Sequence, residues 1–203
     1  MRDSYYTISE KCSCEIKIEK SRFIANIFHL DANDEVNTYL LNIRKKYHDA
    51  KHHPYGFRRG LDKNNFRYND DGEPSGSSGK PILDAIDKYD LTDILIIVTR
   101  YFGGVKLGIG GLQRAYFNSA EECIKKSKIT EQFLCEKYEI SFDYAFINPV
   151  INYLKKNKIK IIANESVTKV KLLCELRLSL SHKFVENINN LTNGKVNIIK
   201  NQE

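Results

Sequence analysis

The chain has 203 residues, a formal net charge of +6 and a hydrophobic share of 41%. This length allows one large domain or two small ones, and this share of apolar residues is enough for a packed core. The longest apolar run, residues 94–98, is far too short to cross a bilayer. Residues 1–11 have no apolar core like that of a secretory signal. These features exclude a membrane-spanning helix and predict a cytoplasmic protein with no membrane partner.

The excess positive charge is concentrated in the last third of the chain. Residues 1–136 hold 21 Lys or Arg against 20 Asp or Glu, whereas residues 137–203 hold 11 against 6. Such a bias favours an anionic partner, RNA above all, without sequence-specific recognition of DNA. A generally lysine-rich proteome would produce the same bias without any ligand.

Hydrophobic patterns predict an α+β chain of two domains, 1–136 and 137–203. The elements predicted in the first domain are strands over 14–20, 23–28 and 94–98, a helix capped by Asn33 that ends near Lys46, and helices over 82–89 after Pro81 and over 112–126. Those predicted around and in the second are an extended crossing over 132–139, strands over 138–142, 159–162, 167–176 and 196–199, and helices over 148–157 and 181–192. This β-α-β-β-α-β order predicts a ferredoxin-like fold, whose sheet leaves one face open.

The most unusual stretch is residues 99–116, TRYFGGVKLGIGGLQRAY, called the glycine motif below. It joins a buried strand to a helix through glycines and cations, and such a junction collects backbone amides around an anion. The candidate anion- or RNA-binding residues are Arg100, Tyr101, Gly103, Gly104, Lys106, Gly108, Gly110, Gly111 and Arg114. The alternative is that the glycines only allow elements to cross closely. Gln113 stands where a dinucleotide-binding fingerprint needs glycine, so no nucleotide cofactor is predicted.

Residues 69–81, NDDGEPSGSSGKP, are called the acidic loop below and form the second unusual stretch. Its candidate residues, together with one upstream histidine, are His52, Asp70, Asp71, Glu73, Ser75 and Lys80. The carboxylates can bind a hard cation, or the serine hydroxyls and glycine amides can hold an anion. Alternatively, Asp70, Asp71 or Glu73 pair with Arg100 or Arg114 and stabilise the fold without a ligand, or the loop is only a flexible acidic tip.

Histidines and cysteines do not form a recognisable metal or catalytic pattern. His48, His52 and His53 lie close together with Asp49, but Pro54 breaks the helix that would align them. The five cysteines lack zinc spacing and are predicted to be reduced thiols. We therefore predict no metal, no cofactor and no catalytic residue.

Four blocks of sequence together resemble one family. They are residues 20–25, 48–52, 70–76 with 79–81, and the glycine motif 99–116. They resemble the IMPACT family, in particular its bacterial YigZ-type members. Two pairs of residues depart from the family pattern: His53-Pro54 stand where Asn and Cys are usual, and Ser77-Ser78 stand where Thr-Ala is usual. Any role of that family cysteine therefore cannot be assigned to Pro54.

The resemblance implies a fold and a setting for the protein. It implies an N-terminal α+β domain of the ribosomal-protein and elongation-factor type, with helices on one side of a sheet. It also implies a C-terminal domain similar to the last domain of elongation factor G. Eukaryotic relatives regulate translation in amino-acid starvation by competing for the activator of an initiation-factor kinase, a pathway that bacteria lack.

Three functional hypotheses follow. The first is a non-enzymatic module that binds RNA or the ribosome and modulates translation. The second is an enzyme acting on a small phosphorylated substrate, in which Asp70, Asp71 and Glu73 hold a divalent ion or act as acid and base. The third is a protein-binding adaptor, in which the glycine motif shapes a docking surface.

Overall fold

The structure, a computed structural model, describes residues 3–31, 33–61 and 64–201. The chain divides into two compact units. The N-terminal unit is Tyr5–Gln132, and the C-terminal unit comprises the described residues 133–201 together with residues 3 and 4. Within the described ranges, none of the helices has the length and apolar character that crossing a bilayer requires.

Ten helices and strands lie between residues 4 and 133. They are β1 (Ser4–Ile8), β2 (Cys12–Ile18), β3 (Ser21–His29), α1 (Val36–Lys46), β4 (Tyr55–Arg58), β5 (Phe66–Asn69), α2 (Gly79–Lys88), β6 (Ile94–Tyr101), α3 (Gly108–Lys126) and β7 (Ile129–Phe133). Five of the strands form an antiparallel sheet in the order β2-β3-β6-β4-β5, while β1 and β7 form a separate two-stranded sheet.

Strand β6 lies at the centre of this sheet and is apolar on both faces. Ile94, Ile96 and Val98 belong to the core that includes α2 and α3. Leu95 and Ile97 belong to a second core, which Ile43 of α1 completes. Successive strand residues point to opposite faces, so a continuously apolar strand needs cover on both sides. The expectation of helices on one side only is therefore wrong, because α1 packs on the opposite face from α2 and α3.

The elements that the sequence predicted are present, but strands β1, β4, β5 and β7 were not predicted and several boundaries differ. Helix α1 has Glu35 rather than Asn33 at its N-cap, and α2 begins two residues before Pro81. Helix α3 begins at Gly108 rather than Leu112, so three of the motif glycines are helical. Glycine has a low helix propensity, and this hid the first turn from a pattern-based prediction.

The C-terminal unit contains six regular elements in the predicted β-α-β-β-α-β order. They are β8 (Cys135–Phe142), α4 (Ile147–Lys156), β9 (Lys160–Asn164), β10 (Val170–Arg177), α5 (Ser181–Leu191) and β11 (Val196–Asn201). The sheet is antiparallel in the order β11-β8-β10-β9. Its core includes Phe142, Val150, Leu172, Phe184 and Ile188, from strands β8 and β10 and both helices.

Candidate functional site

A cavity of about 730 Å³ opens where the glycine motif leaves β6 and enters α3. Four sequence segments that are distant along the chain line it: the turn before β4, the acidic loop, the end of β6 and the start of α3. The lining residues are Asp49, Ala50, Lys51, His52, Glu73, Pro74, Arg100, Tyr101, Phe102, Lys106, Leu107, Gly108, Ile109 and Leu112. The fold thus brings together parts of three of the four sequence blocks described above, those at 48–52, 70–76 and 99–116.

The glycines of the motif serve different purposes. A Cβ atom on Gly103 would lie 2.1 Å from the backbone carbonyl of Lys20, so a side chain there is excluded by close approach. The amide of Gly103 is also used internally, because it donates to the Ser21 hydroxyl at 3.1 Å. Gly104 and Gly108 have φ angles of +88° and +68°, in the region that favours glycine. The packing interpretation therefore applies to Gly103, whose amide is not directed at a ligand.

The backbone amides in the first turn of α3 are the part of the glycine motif best placed to contact an anion. The N-cap residue of α3, Leu107, makes no side-chain capping bond, and no acidic residue lies in the first turn. The amides at a helix start lack intrahelical partners and carry the positive end of the helix dipole. Gly108 and Ile109 of this turn line the cavity. Lys51 and Lys106 are exposed at the same cavity and form no ion pair within the described residues.

Arg100 is not a free cation. Its Nη1 donates to both carboxylate oxygens of Glu73, at 2.8 and 3.1 Å, and the Tyr116 hydroxyl donates to the same carboxylate at 2.7 Å. The Arg100 and Glu73 side chains are only 8% and 4% exposed. Burial and then the charge of Glu73 raise the pKa of Tyr116, so it remains a proton donor. Of the alternatives that the sequence left open, the pairing of Arg100 with a loop carboxylate is the one observed.

His52, which lines the cavity, and the buried His53 connect the acidic loop to the sheet. His52 Nδ1 lies 2.9 Å from the Asp71 carbonyl oxygen, which only accepts, so Nδ1 carries the hydrogen. The Asp71 carboxylate accepts the His53 amide at 2.7 Å and pairs with Arg44. His53 is buried against the Thr99 hydroxyl at 3.0 Å, and burial followed by the charge of Arg44 lowers its pKa. These contacts hold the loop on the sheet.

The Asp70 carboxylate organises the rest of the acidic loop. It accepts the amides of Gly76, Ser78 and Gly79 at 2.9, 3.0 and 2.8 Å, and the Ser78 hydroxyl at 2.8 Å. The Asp70 carboxylate therefore already accepts these three amides and the Ser78 hydroxyl, so they are not free to hold an external anion. Burial acts to raise the pKa of Asp70, but the bonds from Gly76, Gly79 and Ser78 outweigh it and lower the pKa.

The segment that carries these site residues matches a known protein family. Residues 19–124 match the family model described as the Impact N-terminal domain. They contain every candidate site residue, from His52 to Arg114. The chain belongs to the IMPACT family. The IMPACT family member YvyE of Bacillus subtilis is 34% identical over 198 residues, which cover 98% of this chain and 91% of that protein.

Two further similarities extend over most of the chain. IMPACT family member YigZ of Escherichia coli is 26% identical over 189 residues, which cover 92% of this chain and 93% of that protein. A crystal structure described as that of a hypothetical protein superposes with a TM-score of 0.71 at 25% identity and covers 100% of both chains. The similarity to these proteins therefore extends beyond the matched N-terminal domain and includes the C-terminal unit.

Some predicted residues of this IMPACT chain lie away from the cavity. Arg114 is exposed, forms no ion pair among the described residues, and lines a separate cavity of about 330 Å³ with Lys80. Lys80 pairs with Asp84 one helical turn further on, and Ser75 is exposed and lines neither cavity. The pairing of Arg114 with a loop carboxylate, which the sequence allowed, is therefore not observed.

Sequence reasoning also missed residues that line the cavity, including Lys51, Phe102 and Ile109. Tyr101 was predicted, but not its hydrogen bond to Asp49 at 2.6 Å, which raises the pKa of Tyr101 to about 12. The sequence did contain a signal for Phe102, because it is a large aromatic residue directly after a buried strand and before Gly103. Phe102 is 59% exposed, which a residue confined to the core would not be.

The open face of the C-terminal sheet offers fewer free cations than its composition suggests. Lys171 alternates with the buried Leu172 and so lies on the face opposite the core. It contacts Glu139 and Glu165, both at 3.2 Å. Lys160 contacts Glu175 at 3.6 Å across neighbouring strands. Lys160 and Lys171 are therefore paired with acidic side chains and are not free cations on this sheet.

The described side chains form no cluster of three or more potential metal ligands. No group of three or more His, Cys, Asp or Glu side chains converges on a common point in residues 3–31, 33–61 and 64–201. Asp70, Asp71 and Glu73, the three carboxylates considered for a cation, each have hydrogen-bonding partners of their own.

Replacing Asp70 with asparagine is expected to lower the free energy of unfolding of the N-terminal unit by about 1–3 kcal/mol at neutral pH, because amides lose a charged acceptor. The native pKa of Asp70 lies below its ordinary value of 3.8. Its contribution is thus complete above about pH 4 and is lost as the pH falls through the lowered native value. Denaturation at several pH values should show this acid-induced loss in the native protein and a smaller one in Asp70→Asn.

Asp84→Asn is the matched control for this prediction. Asp84 carries the same side chain on α2, and its partner Lys80 is about half exposed, so the pair contributes little. Equal effects of the two substitutions would contradict the role assigned to Asp70.

Proposed function

We propose that this IMPACT family member is a non-enzymatic RNA-binding module that acts at the ribosome and modulates translation. In this proposal RNA phosphates contact the cavity at the start of α3. The observation that carries it is the meeting of two exposed lysines without ion pairs, Lys51 and Lys106, with an uncapped helix start. Modulation of translation enters by analogy with the eukaryotic relatives.

The physical basis is electrostatic and independent of sequence. A lysine that neutralises a phosphate releases condensed counterions, and this release supplies most of the affinity of non-specific RNA binding. The helix start adds about 0.3–1 kcal/mol for a negative group placed near it. Arg100 contributes no free charge in this proposal, because Glu73 neutralises it.

The enzymatic alternative gains no specific support from the contacts. Its proposed acid, base or metal ligands were Asp70, Asp71 and Glu73, and these accept bonds from loop amides, Arg44 and Arg100 respectively. A carboxylate already engaged in this way has reduced capacity to bind an ion or transfer a proton. Capture of a protein partner after nuclease treatment distinguishes the adaptor alternative from RNA binding.

The test is binding of ribosomal RNA at low salt by the native chain and by Lys106→Ala and Lys51→Ala variants. We expect several-fold weaker binding for each variant, because each removes one phosphate contact. Lys45→Ala is the matched control, since Lys45 is exposed on α1 and does not line the cavity. No binding of ribosomal RNA or transfer RNA at low salt would overturn the proposal. A protein partner captured after nuclease treatment, in that same case, would favour the adaptor.

A further inference from the structure

We infer that the cavity accepts an unpaired nucleotide, with its base stacked on Phe102 and its phosphate at the first turn of α3. The inference rests on the proposed RNA-binding function and makes it more specific, because it names single-stranded RNA rather than a helix as the ligand. It follows from the apolar part of the cavity, which phosphate contacts alone leave unexplained.

The apolar residues of the cavity are exposed to a degree that calls for a ligand with a flat or apolar part. Phe102 and Ile109 are each 59% exposed, and Leu107 and Leu112 complete the same wall. A volume of about 730 Å³ lies in the range of small-ligand sites, and it exceeds what a phosphate group alone needs. A nucleotide combines a flat base with an anionic group, which matches an apolar wall beside lysines and helix amides.

One face of the Phe102 ring packs against the guanidinium group of Arg100. The Arg100 guanidinium carbon lies over the Phe102 ring, 5.4 Å from its centroid, and the same group lies 5.6 Å from the centroid of Phe23. The contacts of Arg100 with Glu73 fix that guanidinium. Because a cation occupies one face of the ring, the exposed remainder is free for a base, and little ordering is needed on binding.

Double-stranded RNA does not fit these features. Its bases are stacked inside the helix, and proteins recognise it through shape, phosphates and 2′-hydroxyls. Single-stranded RNA exposes base faces, and stacking on an aromatic side chain tolerates any base. We therefore expect a preference for single-stranded over duplex RNA with little dependence on base identity.

The experiment measures fluorescence anisotropy of a short single-stranded RNA and of the same sequence annealed to its complement. The native chain should bind the single strand about tenfold more tightly than the duplex. Phe102→Ala should weaken single-strand binding about tenfold, while Phe102→Tyr should retain it, because both aromatic rings stack. Phe66→Ala is the matched control, since Phe66 is 45% exposed on β5 and outside the cavity. Thermal unfolding of each variant verifies that the fold is retained.

The outcomes separate this inference from the function on which it rests. Equal binding of single strand and duplex, or unchanged binding by a folded Phe102→Ala variant, overturns the nucleotide pocket while RNA binding stands. Loss of a captured protein partner by Phe102→Ala, with RNA binding intact, also overturns it and assigns the cavity to protein docking. Absence of binding to either RNA form and to ribosomal RNA overturns the proposed function itself.

Discussion

Replacing Glu73 with alanine is expected to lower the free energy of unfolding of the N-terminal unit by about 3–5 kcal/mol. The substitution leaves the Arg100 charge buried without its carboxylate and removes the acceptor of the Tyr116 hydroxyl. An isolated buried charge costs far more than the pair contributes, so the loss is large. Hydrogen exchange of the β6 amides is a suitable measurement, because it reports on this unit separately from the C-terminal one.

A double variant provides the control for that prediction. Replacing Glu73 with leucine and Arg100 with methionine removes both charges together, and it should recover much of the lost stability. If Glu73→Ala unfolds no more readily than the native chain, the buried pair is not the link between the acidic loop and β6. The same reasoning shows that Arg100→Ala is a poor probe of RNA contact, because it destabilises the fold as well.

Replacing Gly103 with alanine is expected to cost about 3 kcal/mol or more, or to prevent folding of the N-terminal unit. The added Cβ would lie 2.1 Å from the carbonyl carbon and oxygen of Lys20 and 2.5 Å from the Ser21 amide nitrogen. Overpacking against side chains typically costs about 1–3 kcal/mol. Here the obstacle is backbone held in the turn between β2 and β3, which relaxes less easily.

Gly110→Ala is the matched control within the same motif. Its added Cβ meets only Arg114 Nη1, at 3.6 Å, and lies in a helix, so we expect no loss and a gain of up to about 1 kcal/mol. Chemical denaturation of both variants measures the difference. Equal stability of Gly103→Ala and Gly110→Ala would contradict the close approach of the motif to the turn at Lys20.

The parts of the fold that follow local patterns were predictable. Strand β6 and the order of elements in the C-terminal unit could be read from apolar runs and turn residues. Strand β5 was missed although Phe66 and Tyr68 alternate with Arg67 and Asn69, because this run of four residues is short and adjoins a long polar loop. The first turn of α3 was hidden by glycine, and its start at Gly108 places helix amides at the cavity where a loop was expected.

The site was predictable in its location but less so in its chemistry. Arg100 and Glu73 were both singled out, yet their pairing is a contact between residues 27 positions apart, which spacing alone does not determine. Spacing also did not show that Asp70 accepts the amides of Gly76, Ser78 and Gly79, which leaves fewer loop groups free for an anion. Phe102 was overlooked because exposure of an aromatic side chain depends on how the motif turns away from the sheet.

The salt dependence of RNA affinity tests the central claim most directly. The logarithm of the binding constant for single-stranded RNA should fall linearly with the logarithm of salt concentration, by about 0.7 for each phosphate neutralised. Lys106→Ala should bind more weakly and have a slope smaller by about 0.7, the contribution of one phosphate of a single strand, while Lys45→Ala should match the native chain. A slope near zero, or one that Lys106→Ala leaves unchanged, would contradict phosphate binding at the start of α3.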